Sequence, residues 1–194
     1  MKAYNNANWA TTAKTYANDP DNGILDPEPF DRYYNHYYNP SLLTGGAPNR
    51  CTNFALIARN NYASNKNLAF YNLGLASHYI SDVGNPMHTA GEWNQYWNSQ
   101  PHLAFESYVS SNWNTAYNYK SIVSSNTATQ TVTNPATATS NLASFSRQYF
   151  DTLWSEIIAN PTGFGSDIDV RYVTTKMIRE TAKYNRGLAT YIST

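Results

Sequence analysis

The sequence predicts an all-α fold, in which residues 1–194 form a single domain built as a bundle of about six helices. Apolar residues recur at three- and four-residue spacing through most of the chain, which is the period of an amphipathic helix. The sequence contains no strand-like alternating runs and no internal repeats that would favour another class. A chain of 194 residues can bury roughly two thirds of its unfolded surface, so one core is sufficient.

The first third of the chain is predicted to contain two helices separated by a long connection. Trp9 and Tyr16 mark the inner side of a short helix within residues 1–18. The connection that follows, up to Pro40, has four prolines and one glycine, which predict an ordered loop. Such a loop, rich in acids and tyrosines, could form the rim of a site, although an aromatic surface connection is the simpler interpretation. A helix over 47–64 follows.

The remaining elements are assigned by the same periodicity. We expect a helix over 66–83, a loop over 84–100 and a helix over 101–119. The aromatic residues of that loop could line a cleft or pack beneath it. Residues 121–136 are rich in Ser and Thr and have no apolar period, which predicts a surface loop, more simply a solvated linker than a lid. Amphipathic helices over 137–159 and 167–192 supply core residues.

Composition limits the classes of function. Lys plus Arg and Asp plus Glu number 13 each, so the net charge gives no reason to expect a nucleic-acid-binding surface. Charged residues make up 13% of the chain, against about 25% in an average domain. The single cysteine, Cys51, excludes an internal disulfide and is predicted to be a buried apolar residue. No long apolar run or signal peptide is present in the chain as given.

Two pairs of polar residues interrupt predicted apolar stripes. His78 and Asp82 are four residues apart, so both project from one helix face, and that face is the apolar one. His102 and Glu106 repeat this spacing on the next predicted helix. Burying such groups without partners would cost several kcal/mol each. Two separate helices are therefore expected to direct an imidazole and a carboxylate inward, where something must compensate them.

A divalent metal ion is the compensating partner that this pattern favours. Imidazole nitrogen and carboxylate oxygen are ligands suited to zinc. Pro86 disfavours helix in the residue before it, so a turn after Asp82 can bring His88 to the same place. One such pair alone is more often a hydrogen bond within a helix. Two pairs joined by a further histidine favour a multinuclear zinc site at one end of the bundle.

These residues also carry a family resemblance. The run HYISDVGNPMH, followed by HLAFE, resembles the zinc-dependent phospholipases C of bacteria, which use H-x3-D-x5-H and then H-x3-E. The S1/P1 nucleases resemble the first half, but Glu106 and the short gap before it favour the phospholipase branch. The resemblance implies an all-helical fold and a set of five zinc ligands: His78, Asp82, His88, His102 and Glu106.

The same resemblance assigns roles upstream. YNHYYNP is similar to a family segment that places His36 on a zinc ligand. YANDPD is similar to another, which implies that Asp19 is the remaining ligand and the general base, with Asp21 as the alternative. Tyr33 matches an aromatic residue of the family's choline pocket, which implies a role in substrate binding.

The resemblance also implies a function. It indicates a zinc-dependent phosphodiester hydrolase, most closely a phospholipase C. Such an enzyme cleaves phosphatidylcholine-like lipids to diacylglycerol and a phosphorylated head group by attack of zinc-bound hydroxide. The implied partners are a phospholipid or another phosphodiester and, transiently, a membrane surface; the implied location is secreted or extracellular. The family's third zinc uses an N-terminal Trp and a nearby His. This chain begins Met1-Lys2-Ala3 and has no histidine before His36, so we predict two zinc sites and a third that is absent or rebuilt.

Two alternatives remain at this stage. One is a non-catalytic, zinc-stabilised module of a cell-surface protein, and the other is an S1/P1-like nuclease. Intact ligands do not separate these classes, because a structural zinc needs them too. A closed shell of four protein ligands would favour a structural role, and an open coordination position a catalytic one.

Overall fold

The computed structural model describes residues 7–22, 25, 26 and 29–194, and its regular structure is helical, as the sequence predicts. The described residues contain nine α-helices: α1 Ala7–Tyr16, α2 Pro29–Asn35, α3 Ala47–Asn61, α4 Lys66–Asp82, α5 Gln100–Ser111, α6 Tyr119–Ser125, α7 Pro135–Arg147, α8 Phe150–Ala159 and α9 Ile168–Ser193. In these residues the only strand-like pairing is an isolated bridge between Asn39 and Thr44. None of the described helices combines the length and apolarity needed to cross a membrane.

One apolar cluster surrounds α4, which packs against α1, α3 and α9. Leu73, Tyr79 and Ile80 of α4 are fully buried in it. The facing side of α3 presents alanines and Cys51, whose small side chains let the two helices approach closely. Burial raises the pKa of the Cys51 thiol to about 12, so the group is neutral and behaves as the apolar residue that the sequence predicts.

A second apolar cluster lies between α5, α8 and the first half of α9. Phe105, Leu153 and Met177 are its central members, one from each helix. α9 spans 26 residues, about 39 Å at 1.5 Å per residue, and contributes to both clusters. The long last helix therefore connects the two parts of the core.

The surface loop predicted over residues 121–136 is shorter in the structure. Residues 121–125 belong to α6, and α7 begins at Pro135. Residues 126–134 between these helices are irregular and mostly exposed. Val132 is the exception, because it is 9% exposed and packs in the core, while the Gln130 N–H donates to the Lys183 carbonyl at 3.1 Å. A Cβ added at Gly187 would fall 2.0 Å from the Gln130 carbonyl oxygen, so glycine lets the loop lie directly on α9 at this point.

Helix ends account for the other differences from the sequence prediction. The predicted loop before Pro40 contains α2, whose first residue, Pro29, is favoured at that position. The helix predicted over 101–119 ends at Ser111. The helix predicted over 137–159 is two helices, because the chain leaves α7 after Arg147 and α8 begins at Phe150.

A buried ion pair holds the segment before α2 against the core. Asp26 is 2% exposed, and its carboxylate pairs with the Arg50 guanidinium of α3. The Tyr79 hydroxyl donates to the same carboxylate at 3.1 Å. Arg50 belongs to α3 and Tyr79 to α4, so Asp26 ties the segment before α2 to both of these helices.

Replacing Arg50 with Leu is expected to lower the free energy of unfolding by about 3 kcal/mol, because the Asp26 carboxylate would stay buried without its cation. Urea denaturation of both proteins at pH 7.5 measures the difference. Arg59→Leu, in the same helix, is the matched control and removes a cation–π contact with Tyr191 at 4.5 Å, which is worth about 1 kcal/mol or less. Equal losses in the two variants would contradict this assignment.

Candidate metal centre

The first cluster of candidate ligands combines two histidines and two aspartates. Asp82 Oδ2 lies 2.8 Å from His36 Nδ1 and 3.2 Å from His78 Nε2, and the two nitrogens are 3.0 Å apart. Asp21 Oδ1 lies 3.7 Å from the His36 nitrogen and 3.4 Å from that of His78. Both aspartates therefore lie within 3.7 Å of the same two imidazole nitrogens.

Three local structures position the four members of this cluster. His78 and Asp82 are one turn apart at the end of α4, where the predicted i,i+4 geometry is present. His36 follows α2 directly, and its N–H donates to the Arg32 carbonyl at 3.3 Å. Asp21 lies in a short 3-10 helix, Asp19–Asn22. A cluster built from one helix and two connections depends on how those connections are anchored.

The structure brings Asp21, rather than Asp19, to these histidines. Asp19 is in neither group of candidate ligands within the described residues. It lies instead near Tyr71, where burial first and then the Asp19 carboxylate raise the pKa of the phenol. The two aspartates are two residues apart in one short turn, so their side chains diverge. The preference for Asp19 is therefore not supported by this geometry, whereas the alternative, Asp21, has the position of a ligand.

The first cluster suits a divalent cation. A tetrahedral zinc ion with ligands at 2.0–2.1 Å separates its donor atoms by about 3.3 Å, close to the spacings in this cluster. Asp82 Oδ2 is buried and has no hydrogen-bond partner among the described residues. Burial alone would raise the pKa of Asp82, but the His78 and His36 imidazoles outweigh it and hold that pKa well below its usual range. A buried anionic oxygen without a hydrogen bond, facing two imidazole nitrogens, is the environment of a metal ligand.

The second cluster consists of His88, His102 and Glu106. His88 Nε2 and His102 Nε2 are 3.1 Å apart, and Glu106 Oε1 lies 3.2 Å from the first and 2.9 Å from the second. Both imidazoles are buried, while the Glu106 side chain is 48% exposed. The i,i+4 pair of α5 and the histidine after Pro86 thus meet, as the sequence predicts.

Hydrogen bonds to the far side of each ring set the direction of the lone pairs. His88 Nδ1 lies 2.8 Å from the His36 carbonyl oxygen, and His102 Nδ1 lies 2.6 Å from that of Trp97. A carbonyl only accepts, so each Nδ1–H donates, and the neutral ring then presents an unprotonated Nε2. Metal-binding histidines almost always make this second contact. Two lone pairs and a carboxylate therefore face one another, which is favourable only around a cation.

Charge couples the two clusters. Burial lowers the pKa of His88, but the carboxylates of Glu106 and Asp82 outweigh it, so the net shift is upward. Burial would raise the pKa of Glu106, yet contacts with His102 and His88 hold it well below its usual range. Asp82 belongs to the first cluster and acts on a histidine of the second. The two clusters are therefore electrostatically coupled through Asp82 and His88.

Both clusters open onto one cavity of about 200 Å³, whose wall includes Asp21, Asp82, His88 and Glu106. The two groups of donors therefore share access to the same small space. Each cluster contains a group of three residues whose donor atoms lie within 4.8 Å of one another, and Asp82 adds a carboxylate beside the imidazoles of the first. The three donors of the second cluster leave a coordination position open toward the cavity. Three protein ligands and an open position are typical of catalytic zinc, whereas structural zinc has four protein ligands.

Trp97, in the loop predicted over 84–100, covers the histidines of both clusters. Its ring centroid lies 5.9 Å from that of His36, 5.6 Å from that of His88 and 5.7 Å from that of His102. The Tyr33 ring packs against Trp97 at 4.7 Å, so this residue reaches the edge of the site. The sequence left open whether the aromatic residues of this loop line a cleft or pack beneath it. Trp97 lines the cavity, while Tyr96, 4.6 Å from Trp154, packs beneath.

The prediction about a third zinc concerns residues that the structure does not describe. Met1, Lys2 and Ala3 lie outside the described residues. Within the described part of the chain, two groups of three or more side chains are arranged to hold a metal ion. The absence or rebuilding of a third site stays a prediction.

Comparison with solved structures gives the fold. An alpha-toxin from Clostridium absonum superposes with a TM-score of 0.62 at 18% sequence identity, covering 93% of this chain and 52% of the toxin. The alpha-toxin of an avian strain of Clostridium perfringens gives 0.58, with the same identity and coverage. At this identity the comparison shows a shared fold.

Comparison of sequences points the same way. The chain is 31% identical over 116 residues to a phospholipase C of Listeria monocytogenes, a match that covers 53% of this chain and 40% of the relative. No protein-family model matches the chain. The chain spans only about half the length of the relatives that it matches, or less. In both sequence and fold, this chain resembles the bacterial phospholipases C, as its histidine motifs predict.

Proposed function

We propose that this chain is a zinc-dependent phosphodiester hydrolase of the phospholipase C type. The observation that carries the proposal is the three-donor group of His88, His102 and Glu106 beside a second group of candidate ligands on one shared cavity. Zinc bound there would supply positive charge to neutralise a phosphodiester and to lower the pKa of a water molecule. The 31% identity to a curated phospholipase C supports the same reaction class.

The ligand groups divide the work between two ions. His36, His78, Asp82 and Asp21 would hold the first, and the three residues of the second cluster would hold the other. The carbonyl contacts behind His88 and His102 keep both rings oriented, so the centre is arranged before substrate binds. Preorganised charge of this kind needs no rearrangement as the phosphorus centre gains charge.

Asp21 is the proposed general base. Its side chain is 57% exposed, yet its carboxylate reaches the first cluster and the wall of the cavity. A carboxylate in this position can bond to a water molecule aligned with the phosphorus atom and accept its proton. Asp19 points elsewhere, and we assign it no role in the chemistry.

The aromatic edge of the site suits a cationic head group. Tyr33 packs at 4.7 Å from Trp97 and 6.5 Å from Trp93, and faces of this kind attract quaternary ammonium groups. The Arg32 guanidinium lies 5.5 Å from the Tyr33 ring, so a head group would bind at the edge of this cluster or displace that side chain. We therefore propose a phosphatidylcholine-like lipid as substrate, met at a membrane surface outside the cell.

The two alternative functions have less support. A zinc-stabilised binding module would need only closed ligand shells, whereas the second cluster has three protein donors and faces a cavity. A nuclease would benefit from a basic surface, and the chain has equal numbers of acidic and basic residues. Neither alternative accounts for the aromatic edge beside the metal cavity.

Hydrolysis of a chromogenic phosphorylcholine ester by the zinc-loaded protein tests the proposal directly. We expect turnover that is lost on chelation, returns with added zinc, and falls on the order of 100-fold in Glu106→Gln, because a ligand is removed. Glu92→Gln is the matched control. It alters an exposed carboxylate in the loop predicted over 84–100 and is expected to keep full activity. Turnover that survives chelation, or a zinc-loaded protein without turnover, would contradict the proposal.

The choice between the two aspartates has its own matched pair of variants. Asp21→Asn is expected to lower kcat by about 100-fold and to weaken zinc binding, because a ligand and proton acceptor is lost. Asp19→Asn, two residues away, is expected to change either quantity less than twofold. Equilibrium dialysis against zinc and initial rates on the same ester measure both. The reverse order of effects would restore Asp19 to the site.

Zinc binding is also expected to release protons and to weaken as the pH falls. Burial lowers the pKa of His78, but Asp82 and Asp21 outweigh it and raise that pKa to about 10 in the metal-free protein. The imidazole is therefore protonated at pH 7.5 and must lose its proton to become a ligand. Calorimetric titration in two buffers of different ionisation enthalpy should detect about one proton released at the first cluster, and fewer in Asp82→Asn. Zinc binding without proton release would contradict the assignment of His78.

A further inference from the structure

An apolar groove lies on the far side of Glu106 from the metal cavity. It consists of two adjoining cavities, of about 290 Å³ and 610 Å³, between α4, α5, α6 and α9. Ser81, Ile178 and Thr181 line both cavities and mark where they join. We call this pair of cavities the α9 groove. Its size is in the range of small-molecule sites, about 300–1,000 Å³.

The α9 groove adjoins the candidate metal centre. Glu106 lines both the metal cavity and the smaller cavity of the groove. Asn85 also lines the smaller cavity, and its side-chain amide donates to Glu106 Oε1 at 3.2 Å. The ligand carboxylate and this amide thus stand between the two spaces. A molecule held at the metal centre could extend past them along α9.

The inner part of the groove is apolar, with Phe105, Val109 and Met177 in its wall. The outer part continues with Trp113 and with the side chains that α6 and α9 present. Space remains because Ser77 and Ser81, one turn apart on α4, are small where large residues would meet α9. Contact with a hydrocarbon would remove the apolar wall of the groove from water, which is favourable.

Two cations, Lys14 of α1 and Arg186 of α9, are in the wall of the outer cavity. The Arg186 guanidinium donates to the Val123 carbonyl at 2.5 Å and to the Ala128 carbonyl at 3.1 Å. These bonds hold the end of α6 and the segment after it on α9. Arg186 therefore serves the protein's own carbonyls, and Lys14 is the remaining cation beside the apolar wall.

We propose that the α9 groove binds one hydrocarbon chain of an amphiphilic phosphoester whose phosphate lies at the metal centre. Binding of the phosphate at the metal centre rests on the proposed function. Binding of the hydrocarbon rests on the groove alone, which would bind an aliphatic chain whether or not the centre is catalytic. Ile178, at the junction of the two cavities, then determines how long a chain is accepted.

Chain-length dependence in monomeric phosphocholine diesters tests the proposal. For diacyl chains of four to seven carbons, below their critical micelle concentrations, kcat/KM should rise about fourfold for each methylene group buried in the groove. In Ile178→Trp the indole blocks the junction, so the ratio of kcat/KM for the heptanoyl ester to that for the chainless chromogenic ester should fall at least tenfold. Ile158→Trp, 53% exposed on α8 and outside the groove, is the matched control and should retain the ratio.

Binding of 1-octanol, measured by calorimetry on metal-free protein, separates this proposal from the proposed function. We expect binding in the wild type and in Ile158→Trp, and at least tenfold weaker binding in Ile178→Trp. That pattern without hydrolysis of any ester would sustain the groove and reject the enzyme. Unchanged octanol binding and unchanged chain dependence in Ile178→Trp would overturn the groove. If circular dichroism shows that this variant is unfolded, Val109→Trp blocks the inner cavity from the opposite wall, with the same outcomes.

Discussion

The site depends on acceptor atoms of histidines and carboxylates that converge on one cavity. In the second cluster, His88 and His102 each give their Nδ1–H to a backbone carbonyl, so both Nε2 atoms face Glu106 as acceptors. In the first cluster, Asp82 Oδ2 is buried without a hydrogen bond beside two imidazoles. In the metal-free protein the nearby carboxylates raise the pKa values of His78 and His88, so protons supply the positive charge. A divalent cation would supply that charge in their place.

The fold supports this convergence by anchoring loops to a rigid pair of helices. α4 carries His78 and Asp82 from the centre of the bundle, so half of the first cluster needs no loop. The connection that brings the remaining donors is tied down by Asp26, which is held by Arg50 and Tyr79. Catalytic groups on loops need a scaffold of this kind to keep their spacing. The stability of a buried ion pair and the geometry of a metal centre are thus linked through one segment.

The shared fold with the clostridial alpha-toxins, at 18% identity, shows that this helical arrangement tolerates extensive change of sequence. The α9 groove arises because small residues on α4 leave space beside α9. Its contact with Glu106 gives the centre a neighbouring apolar surface, and an amphiphilic ester has both of the required ends.

The sequence alone determined the helical class, the i,i+4 pairs at His78 and His102, and the family resemblance, because helix periodicity and ligand spacing are local properties. Only the tertiary structure shows that Asp21, rather than Asp19, lies beside His36 and His78, since both aspartates belong to one short turn. It also shows that the exposed loop after α6 is held on α9, where Val132 enters the core and Gln130 lies against Gly187. Trp97 over the histidines and the groove beside Glu106 likewise required the fold, because they form between segments far apart in the chain, where packing decides which side chains meet.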